Sequence, residues 1–140
     1  MAYHLSVFAA NEPGKLEGIT RALADKGLNI RAISVASAGQ FGVVRVLVND
    51  PDKGLEALKD AGLTAAMRRI MVALIDDKPG EMHQLLVTLK ASGLNVEDCY
   101  GFVMGKKAAI VFETESSPQA EQALSKTRIH LISDAEIYKL

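Results

Sequence analysis

The sequence is poor in the residues that form disulfides, metal clusters and nucleic-acid surfaces. Its 140 residues include one cysteine and no tryptophan, and aromatic residues make up 5%. A single cysteine excludes an internal disulfide and a cysteine-rich metal site. The formal net charge is −1 and neither half of the chain is basic, which argues against nucleic acid and anionic membranes as partners.

Long apolar runs are missing as well. No stretch approaches the roughly 20 apolar residues that a membrane-spanning helix needs. The first residues, Met1–Leu5, lack the charged region and the long apolar core of a signal peptide, so we expect a cytoplasmic protein. The rest of the composition, 49% hydrophobic and 24% charged, is typical of a folded globular chain.

The chain contains an internal repeat. When Pro13 is aligned with Pro79, two long segments match without a gap. A Pro-Gly pair opens each segment, and a Gly-Leu-Asn triplet recurs as Gly27–Asn29 and Gly93–Asn95. Apolar residues recur at matched positions beyond these motifs. A register that holds over such a length indicates a duplication.

Each copy is predicted to run strand, helix, strand, strand, helix, strand. In the first copy, Leu16, Ile19 and Leu23 recur at the spacing of one helix face. Pro13 suits the first turn of that helix, since its missing N–H would be unpaired there, and Gly27 suits a left-handed cap. The other predicted elements of this copy are strands at Leu5–Ala10, Ile30–Ser37, Phe41–Val48 and Thr64–Arg69 and a helix at Pro51–Ala61. The second copy is predicted to end in a strand at Ile129–Ile137.

This order of elements predicts an α+β protein of two tandem ferredoxin-like βαββαβ units, over residues 1–68 and 69–140. Each unit would have an antiparallel sheet with both helices on one face. No turn-forming residue separates Ala65 from Asp76, so one strand is predicted to continue from the first copy into the second. Units this small have thin cores, so we expect their open faces and edges to pair, lobe to lobe or in a homodimer.

The strongest candidate for a binding site is the first strand-to-helix loop of each copy, at Asn11–Lys15 and Asp77–Glu81. A helix N-terminus has unpaired N–H groups and a partial positive charge, which suits a carboxylate. Gly14 and Gly80 would let a ligand approach the backbone closely.

One asparagine follows the first predicted helix of each copy, and each such side chain offers both a hydrogen-bond donor and an acceptor. Asn29 and Asn95 could therefore help to hold a zwitterion, together with Asn11 or Asp77 on the loops. The structural interpretation of the same residues is that Asn11 and Asp77 cap helices and that Asn29 and Asn95 are turn residues.

The run Asn11-x-Pro-Gly-x-Leu, followed by Gly27-Leu28-Asn29-Ile30, resembles the ACT domain. Asp77-x-Pro-Gly-x-Met with Gly93-Leu94-Asn95-Val96 resembles a second one, so the resemblance covers nearly the whole chain. ACT domains have the βαββαβ fold and commonly bind amino acids between paired domains to regulate a metabolic enzyme or a transcription unit. The resemblance implies a non-catalytic protein that binds an amino acid at such an interface, without a cofactor or a metal.

Serine-sensing ACT domains attached to phosphoglycerate dehydrogenase have one Asn two residues before the Pro-Gly and another, from the facing domain, fifteen after the Gly. Asn11 and Asn29 match these positions, whereas the second copy has Asp77, which would repel a carboxylate. Ala9 and Ile75 replace the His of those members, which argues against serine. The resemblance implies these ligand-binding residues: Asn11, Glu12, Pro13, Gly14, Lys15, Leu16, Asn29, Ile30, Asp77, Lys78, Pro79, Gly80, Glu81, Met82, Asn95 and Val96.

Several isolated residues permit other interpretations. Arg45 interrupts an apolar strand and is either a carboxylate clamp or a structural arginine. Cys99 is predicted to be a buried, inert thiol. The histidines, among them His83 near a predicted helix start, do not have metal-ligand spacing. The competing hypothesis for the whole chain is a ligand-free interaction or oligomerisation module that docks on a metabolic enzyme.

Overall fold

The computed structural model of the chain describes residues 2–115 and 117–140, which form seven strands and five helices. The strands are β1 (Ala2–Ala10), β2 (Ile30–Ala38), β3 (Phe41–Val48), β4 (Thr64–Asp76), β5 (Val96–Met104), β6 (Lys107–Thr114) and β7 (His130–Leu131). The helices are α1 (Lys15–Ala24), α2 (Pro51–Asp60), α3 (Glu81–Ala91), α4 (Ser117–Leu124) and α5 (Asp134–Ile137). None of the described helices is both long and apolar enough to span a membrane.

The chain forms two compact units. The first unit comprises Tyr3–Arg68 with Tyr138–Leu140, and the second comprises Arg69–Ile137 with residue 2. Strand β4 is continuous from Thr64 to Asp76, as the lack of a turn-forming residue predicts.

In the first unit the strand order is β2-β3-β1-β4, so β2 is an edge strand. The β1–β3 and β2–β3 pairs are antiparallel, and Val44 of β3 is opposite both Val7 and Val35. Helices α1 and α2 cover one face of this sheet. The buried core consists of Leu5, Val7, Ile19, Leu23, Leu28, Val44, Val46, Val48 and Leu58.

The second unit repeats this arrangement, with the strand order β5-β6-β4-β7. Its buried core consists of Met71, Ala73, Leu85, Leu89, Ala108, Ile110, Phe112, Ala120 and Leu124. The predicted α+β class, with tandem βαββαβ units and antiparallel pairing, is therefore confirmed.

The start of α1 differs from the prediction. Gly14 is the N-cap residue and has a left-handed backbone with φ of 87°, so Pro13 precedes the helix rather than lying in its first turn. Pro51 does occupy the first turn of α2. The predicted cap at Gly27 is confirmed, because its φ is 71° and the Leu28 N–H donates to a carbonyl of the last helical turn.

The C-terminal prediction is also wrong in part. The last strand of the second unit is limited to His130–Leu131, and helix α5 follows it. Ser133 and Glu136 form a capping box, in which the Ser133 N–H and hydroxyl donate to the Glu136 carboxylate at 2.9 and 2.8 Å. This local cap starts a helix where the apolar pattern alone predicts a longer strand.

Candidate functional site

A cavity of about 130 Å³ opens at the first strand-to-helix loop of the first unit. The end of β1, the loop and the first turn of α1 form one wall, and β2 and β3 form the other. We call it the first-unit cavity, and it is lined by Ala9, Ala10, Asn11, Glu12, Lys15, Leu16, Val35, Ser37, Gly42 and Val44. Four of the residues that the ACT resemblance implies, Asn11, Glu12, Lys15 and Leu16, thus share one cavity.

Asn11 holds the loop against the neighbouring β-turn. Its side-chain Nδ2 donates to the Gly39 carbonyl at 3.1 Å, and its N–H donates to the Gln40 carbonyl at 2.7 Å. No side chain caps α1, so the interpretation of Asn11 as a helix cap is wrong. Because Gly14 occupies the N-cap position, Asn11 is three residues too early to serve there. Its Oδ1 is left as an acceptor beside the cavity.

The N-terminus of α1 has free backbone donors. The Lys15 N–H donates to the Glu12 carbonyl at 3.3 Å, and the first helical hydrogen bond runs from the Gly18 N–H to the Gly14 carbonyl. Within residues 2–115 and 117–140, no residue accepts a hydrogen bond from the N–H groups of Leu16 and Glu17. Such groups, together with the helix dipole, favour a bound anion.

Gly42 forms part of the floor of the first-unit cavity. It is buried and is paired with Ser37 across the β2–β3 ladder. A Cβ added at Gly42 would lie 3.0 Å from Ser37 Oγ and 3.1 Å from the Ala36 carbonyl oxygen. The absence of a side chain at Gly42 therefore allows β2 and β3 to pair closely and leaves space in the cavity.

Asn29 and Ile30 are not part of this cavity. They lie at the start of β2, whereas the cavity contacts its end near Ser37, roughly 25 Å away along an extended strand. The Asn29 N–H donates to Asn49 Oδ1 at 3.0 Å, its side chain is exposed, and Ile30 packs against the core. Within one unit, the two asparagines implied by the resemblance are therefore apart.

The loop of the second copy differs from that of the first. Asp77 donates its N–H to the Lys106 carbonyl, and α3 has no side-chain cap, so the cap interpretation of Asp77 is also wrong. Met82 and Val96 pack against the core, whereas Leu16, the counterpart of Met82, is 42% exposed. Lys78, Pro79, Gly80 and Asn95 are exposed, and Glu81 lines a different cavity of the second unit.

Two charged residues beside this second loop are paired with each other. Lys107 and Asp76 form an ion pair across the β4–β6 ladder. The hydrogen bond from Lys107 and its positive charge lower the pKa of Asp76 below its ordinary value. Asp76 is therefore charged near neutral pH.

Two other candidate residues lie outside both cavities. Arg45 alternates with Val44 and Val46 of the core, so it points to the sheet face away from the helices. Cys99 is exposed, so the prediction of a buried thiol is wrong; partial desolvation and Asp98 raise its pKa. A raised pKa disfavours the reactive thiolate.

Comparison with known sequences identifies the family. The family model of an ACT domain pair matches residues 1–140. The chain belongs to the ACT domain family. Membership of this family supports a regulatory, ligand-binding role in general for this ACT domain pair. It also favours a non-catalytic protein over an enzyme. A comparison with proteins of curated function finds no match.

Solved structures share the fold of this ACT domain pair. Protein BT0572 from Bacteroides thetaiotaomicron is 29% identical with a TM-score of 0.93, over 99% of this chain and 96% of that one. The ligand-free regulatory subunit of aspartate kinase from Thermus thermophilus is 18% identical with a TM-score of 0.65, over 88% and 91%. The corresponding subunit from Thermus flavus is 19% identical with a TM-score of 0.57, over 90% and 93%.

The strand residues of the first-unit cavity carry no motif that predicts them. Val35, Ser37 and Val44 belong to apolar or mixed strands, and their role depends on the pairing of β2 with β3. Gly42 does leave a signal in the repeat, because its counterpart in the second copy is Ala108. A glycine inside one strand and an alanine inside its duplicate indicate a local opening in the ACT domain pair.

Proposed function

We propose that this ACT domain pair is a non-catalytic regulatory protein that binds a small amino acid in the first-unit cavity. The proposal depends mainly on one observation. A helix N-terminus with unpaired N–H groups, the Lys15 side chain and the side chains of Asn11 and Glu12 border the same small cavity. A free amino acid carries a carboxylate and an ammonium group, so it needs both positive and negative partners in one place.

The carboxylate of the ligand is assigned to the first turn of α1. The free N–H groups of Leu16 and Glu17 and the helix dipole favour a negative charge there. Lys15 adds an ammonium group at the same cavity wall. Gly14 has no side chain, and nothing lies within 4 Å of where its Cβ would be, so a ligand can approach the backbone.

The ammonium group is assigned to the loop oxygens. Asn11 keeps Oδ1 as an acceptor after its amide group bonds Gly39, and Glu12 supplies a carboxylate. The apolar wall, which includes Val35 and Val44, would contact the ligand side chain. The cavity volume of about 130 Å³ is close to the roughly 150 Å³ of a cavity that binds benzene. The ligand is therefore small, with about six non-hydrogen atoms or slightly more.

A homodimer would bring Asn29 to this cavity. Strand β2 is an edge strand, and its residues Ile33 and Val35 are 41% and 50% exposed. Apolar edge strands tend to pair with another chain. Antiparallel pairing of two β2 strands about a two-fold axis would set the start of one strand, with Asn29, beside the end of the other, with Ser37.

The loop of the second copy is proposed to be a poorer carboxylate site. Asp77 replaces Asn11 there, and its negative charge opposes a carboxylate. Ala108 also replaces Gly42 at the corresponding floor position. The regulated partner, a metabolic enzyme or another regulator, remains a prediction from the family resemblance, and the cytoplasmic location remains a prediction from the N-terminal sequence.

Thermal-shift measurements against the twenty amino acids test this function. A ligand at 100 times its Kd stabilises the folded state by about 2.7 kcal/mol, which should raise Tm by several degrees. We expect the largest shift with a small amino acid. If no amino acid at millimolar concentration changes Tm, the ligand-free interaction module becomes the better hypothesis.

Asparagine variants test the assignment of residues. Asn11→Ala and Asn29→Ala should each weaken binding about tenfold or more, since each removes hydrogen bonds to a charged group. Asn95→Ala is the matched control, because it removes the duplicate of Asn29 and should leave affinity unchanged. Analytical ultracentrifugation should detect the dimer, and equal effects of Asn29→Ala and Asn95→Ala would contradict the assignment.

A further inference from the structure

The second unit has a larger cavity on another side of its first helix. The cavity measures about 270 Å³ and lies between one face of α3 and the segment that leads into β7. Its helix wall consists of Glu81, Gln84, Leu85 and Thr88, at the spacing of a single helix face. We call it the second-unit cavity. The first strand-to-helix loop itself, from Asp77 to Gly80, is not part of its lining.

The second-unit cavity is bordered by one cation and one anion that lack ion-pair partners. Asp76 and Lys107 also line it, but they neutralise each other as an ion pair. Arg128 and Glu81 line it as well, and neither forms an ion pair with any residue that the structure describes. A ligand that carries both charges would satisfy both side chains, whereas a simple anion or cation would satisfy one and be repelled by the other.

The deeper wall of the second-unit cavity is apolar. Leu85 is 3% exposed, and Ile75 and Ile129 are partly buried and pack against the same core. The polar groups therefore lie beside a hydrophobic surface that a ligand could cover. Ligand sites in proteins commonly combine an apolar wall with a few polar groups that fix orientation.

Among the residues that the structure describes, no unpaired cation lines the corresponding cleft of the first unit. In the repeat alignment, Arg128 corresponds to Gly62. A cleft of about 250 Å³ is present at Gly18 in the first unit, and the cation that lines it, Arg21, is already paired with Glu17. The fold therefore provides a cleft in both copies, but the unpaired cation that could hold a ligand carboxylate is found in the second.

We propose that the second-unit cavity binds an α-amino acid with an apolar side chain. The Arg128 guanidinium pairs with the ligand carboxylate, since its planar fork matches that group, and Glu81 accepts from the ligand ammonium group. The ligand side chain lies against Leu85 and Ile129. The volume is about twice that of the first-unit cavity, so the two sites select ligands of different size. This site is formed by the second unit alone and needs no second chain.

Isothermal titration calorimetry of the full chain with L-leucine, L-methionine and L-phenylalanine tests the proposal. At least one of these probes should bind, and Arg128→Gln and Glu81→Gln should each weaken its binding about tenfold to a hundredfold. Lys126→Gln is the matched control, because Lys126 is an exposed cation of the same unit that does not line the cavity. Circular dichroism should show that all three variants are folded.

Ligand analogues and the first-unit variant separate this proposal from the proposed function. 4-Methylpentanoate and 3-methylbutylamine, which lack one charge of leucine, should bind at least tenfold more weakly than leucine. Binding of leucine that is lost in Asn11→Ala but unchanged in Arg128→Gln would assign it to the first-unit cavity and overturn the inference, while the proposed function would stand. Absence of binding for all three probes would overturn the inference as well.

Discussion

Replacing Gly42 with alanine would test whether the first-unit cavity is a binding site, because it adds one methyl group to the cavity floor. The new Cβ would lie 3.0 Å from Ser37 Oγ and 3.1 Å from the Ala36 carbonyl oxygen. These distances are short, so the Ser37 hydroxyl must rotate or the strands must separate slightly. The φ of Gly42 is not positive, so alanine is compatible with the strand backbone.

Two effects of Gly42→Ala on stability oppose each other. Alanine avoids roughly 0.5–1 kcal/mol of the entropy cost of a glycine in a strand. Overpacking typically costs about 1–3 kcal/mol, and here the Ser37 hydroxyl can rotate away whereas the Ala36 carbonyl oxygen belongs to the backbone, so we take about 1.5 kcal/mol. We therefore expect the free energy of unfolding to fall by about 1 kcal/mol or less. Ligand binding should be affected more, because one methylene group in a pocket changes binding by about 1–3 kcal/mol, or roughly 10- to 200-fold.

Calorimetry with the amino acid that gives the largest thermal shift would measure this effect. Gly18→Ala is the control, since nothing lies within 4 Å of its added Cβ and alanine favours a helix. It should raise stability by up to about 1 kcal/mol without changing affinity. The double variant Ser37→Ala/Gly42→Ala should recover part of the lost stability without recovering affinity, because the contact with the Ala36 carbonyl oxygen remains. Unchanged affinity in Gly42→Ala would refute the placement of the ligand on this floor.

Three further predictions concern stability and pH. Gly54→Ala should destabilise the protein by about 1 kcal/mol in urea unfolding, because its Cβ would lie 2.7 Å from Leu5 Cδ1 and the gain in helix propensity offsets only part of that overpacking. Asp50→Ala should cost about 1 kcal/mol in the same assay, since Asp50 Oδ1 accepts a backbone N–H at the start of α2. Lys107→Gln should raise the pKa of Asp76 toward its ordinary value, as measured by NMR titration. Because folding lowers the pKa of Asp76, the ion pair stabilises the folded state fully at any pH above the ordinary pKa of an aspartate. This stabilisation is lost as the pH falls through the lowered pKa of the folded state.

The elements of both units could be predicted from periodicity and repeat register. Strand β4 could be predicted to continue from Thr64 to Asp76 because no turn former interrupts it. The position of Pro13 could not be predicted, because proline suits both the first turn of a helix and the residue before a left-handed Gly14. The short length of β7 could not be predicted either, since the apolar pattern does not show that Ser133 caps a helix.

The candidate site was less predictable than the fold, because half of it depends on strand pairing. The loop motif predicts Asn11 and Lys15, whereas Val35 and Ser37 reach the cavity only through the register of β2 on β3. Asn29 illustrates the converse, because a sequence motif includes it and the fold of one unit places it at the far end of the strand. A single unit cannot supply residues that the motif assigns to a facing domain.

The duplication separates what the fold requires from what a ligand would require. In the repeat alignment, buried core residues match buried core residues, as in Ile19 with Leu85 and Leu58 with Leu124. The cavity residues do not match, because Gly42 corresponds to Ala108 and a glycine corresponds to Arg128. Gly62 has a left-handed backbone with φ of 78°, and no described non-glycine residue has a positive φ, so the backbone itself differs at Arg128. Gly42 and Ala108 both lie in strands without a positive φ, so strand geometry does not require their difference, and a ligand in the first-unit cavity would account for it.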